Sequence, residues 1–312
     1  TNGSPWPTYT IRSTGTYGSA TKTLTLTVRM LSFSRWACFS STETNPVWGK
    51  IWWKTGSLSI GPIHTNGQLN IYENPIFDGP VSQGASALNY YHGGPPRDNP
   101  DFQHGLTRNT PTQTLPTNDF MSTIKTTAQQ AQGLFLTGPT DISLLPDGTM
   151  NVTNADKGWN NHNIPLPANK AVFVESGTVS VQGTLNGQLT VGSDTDILVS
   201  GNILYKKNPR QDPTSTDMLG LVAKNNVIVT DSGPSNIEID ACVVALTGSF
   251  QVQNFTEFLK GDLVTFGAEI KYARGPVGLF DTRTGRRIAG YNAIKVYDDR
   301  FNNSVPPSFL PV

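Results

Sequence analysis

Charge is scarce in this chain of 312 residues: Lys and Arg number 23, Asp and Glu 23, the charged share is 15% and the formal net charge is zero. An average soluble protein is about one quarter charged. Without a basic excess the chain is not built to coat nucleic acid in bulk, although a local basic patch stays compatible with neutrality. No run of 18 apolar residues occurs, so the sequence as given holds no membrane span. Signatures of the Ser-His-Asp, Walker or Rossmann type are missing, and no Gly-rich loop opens a helix as phosphate cradling demands. The sequence begins at Thr1 without a signal-peptide pattern, as expected where a targeting segment has been trimmed away. Cysteine is almost absent. Cys38 and Cys242 lie far apart, each inside an apolar stretch (SRWACFS and IDACVVAL). They read as buried free thiols acting as small hydrophobes, with a disulfide closing a long loop as the alternative that export permits. Neither has a second Cys or His at zinc-ligand spacing.

What is abundant is punctuation: 30 glycines and 22 prolines, with Ser, Thr, Asn and Gln in place of charge. Residues 61–81, GPIHTNGQLNIYENPIFDGPV, set Gly, Asn and Pro corners between short apolar groups, which no 3.6-residue period survives. The same grammar returns at 178–191 (TVSVQGTLNGQLTV) and 197–204. It predicts a mainly β fold, a β-solenoid of very short strands joined at corners. From 134 to 273 the rhythm supplies successive candidate strands, among them 142–144, 150–152, 172–174, 189–191, 219–222, 243–246 and 263–266. At roughly 20 residues per winding and roughly 4.8 Å per stack, five to ten windings make a rod about 25–50 Å long. Residues 8–30 differ in style and predict an antiparallel hairpin around a turn at Thr14-Gly15 to Gly18-Ser19, with Leu24, Leu26 and Val28 on one face. Residues 82–118 read as an ordered excursion. One short helix is expected over 119–132, with Asn118 as its N-cap and Gly133 as its stop. Three regions follow: 1–50, a strand region; 51–275, the solenoid with its loop and helix excursion at about 82–133; and 276–312, a terminal strand and Pro-rich tail.

Candidate chemistry is thin. His64, His92, His104 and His162 share no metal-ligand spacing and read as turn histidines. The acidic pairs Asp194 with Asp196 and Asp298 with Asp299 read as turn caps. Paired carboxylates on a β-helix can serve glycoside chemistry, but no acid or base here repeats down a strand face. Calcium on the Asp194–Asp196 loop is the one cofactor the residues suggest; otherwise none is expected. Trp48, Trp52 and Trp53, with Tyr90 and Tyr91, offer either core packing or a sugar-stacking platform, and at most one of Trp52 and Trp53 points outward. Basic residues gather twice, as Lys206, Lys207 and Arg210, and as Arg283, Arg286 and Arg287. If both groups lie on one face they can grip phosphates, with Tyr205, Tyr272 and Phe280 near in sequence for stacking.

Several segments in order, YTIRSTGTYGSATKTLTLTVRM, IWWKTGSLSIGPIHTNGQLNIYENPIFDGPV, NYYHGGPPRDNPDFQHGL, DMLGLVAKNNVIV, IDACVVALTGSFQVQNF and IKYARGPVGLF…GYNAIKVYDDRFNNSVPPSFLP, resemble the PilX-like type IV pilus-assembly proteins. The resemblance extends to competence-associated minor pilins that carry a solenoid at the pilus tip. It implies a hydrophobic helix upstream of Thr1, a pilin-like strand region at 1–50, and an inserted or appended β-solenoid. It further implies a cell-surface, extracellular or periplasmic location, membrane-anchored only through that helix, with pilin or pseudopilin subunits as partners. The expected function is non-enzymatic: a structural and adhesive module displaying its loops. Two alternatives stay open, a DNA receptor for natural transformation that uses the six basic residues, and a carbohydrate-binding or carbohydrate-active β-helix protein.

Overall fold

A computed structural model describes residues 8–29, 32–115 and 117–309. Among these residues the chain is mainly β with one α-helix, and 22 strands join in a single large, mostly parallel sheet.

The hairpin forms as the alternation dictates. Thr8–Tyr17 pairs antiparallel with Ala20–Arg29 in the register Tyr9↔Val28, Ile11↔Leu26. The turn is tighter than expected. Thr14 and Gly15 stay in the strand opposite Thr23 and Lys22, and only Gly18 adopts the left-handed φ (58°) that a two-residue turn requires. Its described side chains from Tyr9 to Val28 are all exposed.

Most of the other strands run in parallel ladders. In the longest, one interior column passes through Leu134, Val172, Val191, Leu221, Val243, Glu269, Cys38, Ile63, Val81 and Leu106, each paired with the next. A second column follows Ile203, Ile239, Thr265, Lys295, Ser59, Phe77 and Phe102. A third ladder stacks Val179, Ile197, Val227 and Phe250. Parallel ladders suit this sequence because Gly and Pro corners end each strand after a few residues, while β-branched triplets bury on the pleat. Each Val, Leu or Ile so buried contributes roughly 1.5–3 kcal/mol.

Ladder order departs from chain order. Cys38–Thr42 pairs with the far strand Leu259–Ala273, and Leu58–Ile60 pairs with Arg287–Tyr297. The strands of residues 38–107 therefore pair onto the end of the ladder formed by 134–297. At this seam Gly61 takes φ +114°, and a Cβ there would sit 2.3 Å from Tyr297 Cβ. Strands on both sides of residue 50, Cys38–Thr42 and Leu58–Ile60, belong to the one large sheet, as do Gly278–Phe280 and Arg287–Tyr297.

Three local expectations are corrected. Asn89–Tyr90, Asp101–Phe102 and Leu106–Thr107 pair parallel with earlier strands, so the loop-like stretch 82–107 returns to the ladders three times. Thr149–Asn154 is a strand but lies antiparallel between Thr140–Leu144 and Trp159–Pro165, forming a flap beside the stack. The helix spans Thr117–Gln129, starting two residues early and stopping three short of Gln132. Asn118 thus sits inside it, and its side chain lies outside the described residues. Phe120, Ile124 and Ala128 are buried as the apolar face predicts, while Ala131 is exposed beyond the last turn. The helix rests on Ala171–Glu175, Leu134–Thr137 and Gln188–Ser193. A Cβ on Gly192 would come within 2.9 Å of both Ile124 and Phe173, so glycine there lets the helix seat.

Candidate ligand-binding cleft

At the seam a charged layer crosses the interior. Strand alternation sends Glu269 and Lys271 inward from one strand and Lys295 inward from its neighbour. Both ammonium groups bind the Glu269 carboxylate, and Lys271 Nζ also donates to Cys38 Sγ at 3.3 Å. Beside them Arg274 Nη1 donates to Glu43 Oε2 at 3.1 Å and its guanidinium lies 3.6 Å over the Trp53 ring. Glu43 also accepts from Trp53 Nε1 (3.0 Å) and from the Ser40 hydroxyl. All five charged side chains are buried, three cations against two carboxylates. Ser59 Oγ and Thr265 Oγ1, in the column of Lys295, are buried without a hydrogen-bond partner among the described residues.

Electrostatics follow from this packing. Burial alone would raise the Glu269 carboxyl, but Lys271 and Lys295 overcome it and hold it down at about 2. Burial holds the Lys295 ammonium below its ordinary value; Glu269 and Cys38 oppose that shift and Lys271 adds to it. Burial also lowers Lys271, yet Cys38 and Glu269 outweigh it and leave that group raised.

Above this layer opens a cleft of about 190 Å³ with Glu269, Lys295 and Arg274 at its inner end. Its walls are aromatic: Trp48, Trp52, Phe255, Phe280 and Tyr291. Trp48 stands edge-on to Phe255, with centroids 5.0 Å apart, and Trp52 edge-on to Tyr91 at 5.1 Å. Lys50, Lys54, Arg287 and Asn292 supply the polar rim. Burial, then the neighbouring Arg287, lowers Lys54, partly offset by Glu73.

The sequence-derived sites fare unevenly. Of the tryptophans, Trp48 and Trp52 reach the cleft and Trp53 is buried beneath it, so one of the adjacent pair does face outward. Tyr91 supports Trp52, and Tyr90 packs on the apolar core around Leu69 and Phe77. The two basic groups sit on strands three ladder steps apart. Lys206 and Lys207 follow the strand Ile197–Tyr205, whereas Arg287 opens Arg287–Tyr297; the column Ile203–Ile239–Thr265–Lys295 separates them. Arg210 is held by Glu238, with Asp240 at 3.9 Å, and lies 4.5 Å over the Phe266 ring. Arg283 pairs with Asp281 at 3.4 Å, and Arg287 donates to the carbonyls of Lys260 and Gly290. Lys206, Lys207 and Arg286 are exposed and, among the described residues, make no ion pair.

His64 is no turn residue. It is buried in the strand Ile63–Thr65, bonded to Ser82 (2.8 Å) and Asn66 (3.0 Å) and stacked on Trp36. His92 pairs with Asp98 at 2.8 Å and exposed His104 with Asp78 at 3.0 Å, while His162 lies in a strand on the Trp159 ring. Asp194 accepts from Ser176 N and Asp196 from Asn226 N, both at 2.8 Å; Asp298 caps a short 3-10 turn. No group of three or more His, Cys, Asp or Glu able to hold a metal occurs among the described residues. Cys38 and Cys242 are both free and buried; they fall in different apolar clusters, one beside Trp53 and the other beside Phe39. No helix among the described residues is long and apolar enough to cross a membrane.

Sequence reasoning missed Glu43, Glu269, Lys271, Arg274 and Lys295. The signal was present: in GAEIKYA, Glu269 and Lys271 share one strand face, and Lys295 interrupts the apolar run IKV. Comparison with known proteins adds one match. A family described only as a domain of unknown function (DUF4900) is similar to residues 6–86, which take in both the hairpin and the first ladder strands. No curated protein and no solved structure matches the chain.

Proposed function

We propose that this chain is a β-solenoid display module of a surface assembly, pilus-associated and without catalytic activity of its own. The observation that carries the reading is the set of parallel, in-register columns, in which each winding buries its apolar side chains on the next. Such stacking makes a stiff support that holds loops and clefts away from an anchor. The resemblance to PilX-like proteins supplies the pilus; the exposed apolar stripe of the hairpin, Ile11, Leu24 and Leu26, is what a strand region facing another element would carry. The test is the intact mass and N-terminal sequence of the protein recovered from sheared surface appendages of its native cells. An upstream apolar segment of about 20 residues with a pilin-type processing site is the expected result. Recovery only from the medium, with a chain beginning near Thr1, would sink the pilus assignment.

A second reading, DNA capture, is supported by the exposed Lys206, Lys207 and Arg286. The triple variant Lys206→Ala, Lys207→Ala, Arg286→Ala then weakens duplex binding and flattens its salt dependence by about one unit of slope per lost phosphate contact. Arg287 stays intact because its guanidinium ties backbone carbonyls. Unchanged affinity and slope would remove the reading.

A further inference from the structure

We infer that the aromatic cleft at the seam binds a carboxylate-bearing sugar, one uronate unit of an acidic polysaccharide. The inference goes beyond the display reading and does not depend on what the module is mounted on.

Three features converge on this ligand. First, the buried layer at the inner end of the cleft holds three cations, Lys271, Lys295 and Arg274, against two carboxylates, Glu269 and Glu43. A buried charge without a partner is strongly disfavoured, so an anion entering beside Lys295 completes the set. Second, the rim adds Lys50, Lys54 and Arg287, with only Glu73 near Lys54 to offset them. Third, the lining is rich in rings, the half-exposed Trp48 and the partly exposed Trp52 among them, against which the C–H face of a pyranose packs, with Asn292 at the rim for its hydroxyls.

Size and layout favour a sugar over a nucleic acid strand. A volume of about 190 Å³ lies below the roughly 300–1,000 Å³ of pockets for drug-sized ligands, so it takes one ring-sized group and leaves the polymer outside. Single-stranded nucleic acid calls for stacking rings spaced along a basic groove, whereas these rings surround one pocket.

Binding carries a proton signature. Lys295 faces Glu269, Lys271 and Cys38, and burial holds its ammonium below the ordinary lysine value. A carboxylate arriving there favours the ammonium, so affinity falls as pH rises.

The experiment is calorimetric titration of the full chain, with tryptophan emission read in parallel, using trigalacturonate, a neutral trisaccharide of glucose and a short single-stranded oligonucleotide. The expected result is roughly tenfold or greater preference for trigalacturonate over the neutral sugar, accompanied by a change in emission and weakened by salt. Trp48→Ala, at a half-exposed ring, weakens that binding roughly tenfold with an unchanged unfolding midpoint. Lys54→Met, which keeps the apolar stem, erases the preference for the acidic sugar. Equal binding of the neutral sugar, no binding of trigalacturonate, or displacement of it by the oligonucleotide at lower concentration would each overturn the assignment.

Discussion

Glu269 stands where the column above and below it carries Val243 and Cys38, and its carboxylate reaches both Lys271 and Lys295. Glu269→Gln leaves two ammonium groups buried without their counter-ion. It should lower stability by about 3–5 kcal/mol in urea unfolding; a loss below about 1 kcal/mol would show that water reaches the layer. Because the folded carboxyl is held at about 2 against an ordinary 4.5, its contribution is complete above about pH 4.5 and drains away as pH falls toward 2. Asp240 behaves in the opposite sense. Burial, with Glu238 nearby, pushes it up to about 7 despite the Tyr205 N–H and Arg210. A raised carboxyl favours the folded state fully below the ordinary 3.8, and that advantage is lost as pH climbs through about 7. Asp240→Asn keeps an acceptor for Tyr205 N. It should flatten the fall in stability between about pH 4 and pH 7; an unaltered pH profile would assign that fall to another group.

At the scale of elements, the helix Thr117–Gln129 is held by one wedge, Ile124, fully buried over Phe173 and Gly192. Gly192→Ala places a methyl where the helix already is and should cost roughly 1–3 kcal/mol. Ile124→Ala should cost about 2–5 kcal/mol. The double variant should fall short of the sum, since the second change makes room for the first; strict additivity in thermal unfolding would mean the two sites do not meet. What was legible in sequence follows the same division. Apolar triplets such as Val172–Val174 and Leu189–Val191 announced their strands because a pleat buries alternate residues and the corners are written in Gly and Pro. The helix existed as expected but slipped along the chain, since its end is set by the turn from Thr127 to Gly133 and not by a helix-breaking residue at the last periodic position. The cleft was half legible. Trp48 and Trp52 were visible as candidates, while Glu269, Arg274 and Lys295 come together only through strand neighbours that no local pattern encodes.

The whole molecule turns on that last point. Rhythm names the strands but not their stacking order, and the order here does not follow the chain. Residues 38–65 lie on the strands of 259–297, while 108–116 and the helix return the chain to the other end of the ladder at Leu134. Two parts of the chain, 38–107 and 134–297, meet through this order. What holds them is the seam: parallel pairing of Ile270 with Phe39 and of Lys295 with Ser59, the ion pair from Arg274 to Glu43, and the Tyr72 hydroxyl donating to Thr282 O at 3.0 Å. A protease site inserted after Asn109, in an exposed stretch, cuts the chain between the last winding of 38–107 and the helix. The two fragments should then co-elute on size exclusion and separate only in denaturant. Repeating the cut in the Glu43→Ala background, which leaves Arg274 buried without its carboxylate, should let them part at lower urea. Separation of the unmodified fragments in plain buffer would mean that the connection through 108–116, and not the stacked seam, keeps the N-terminal windings in place.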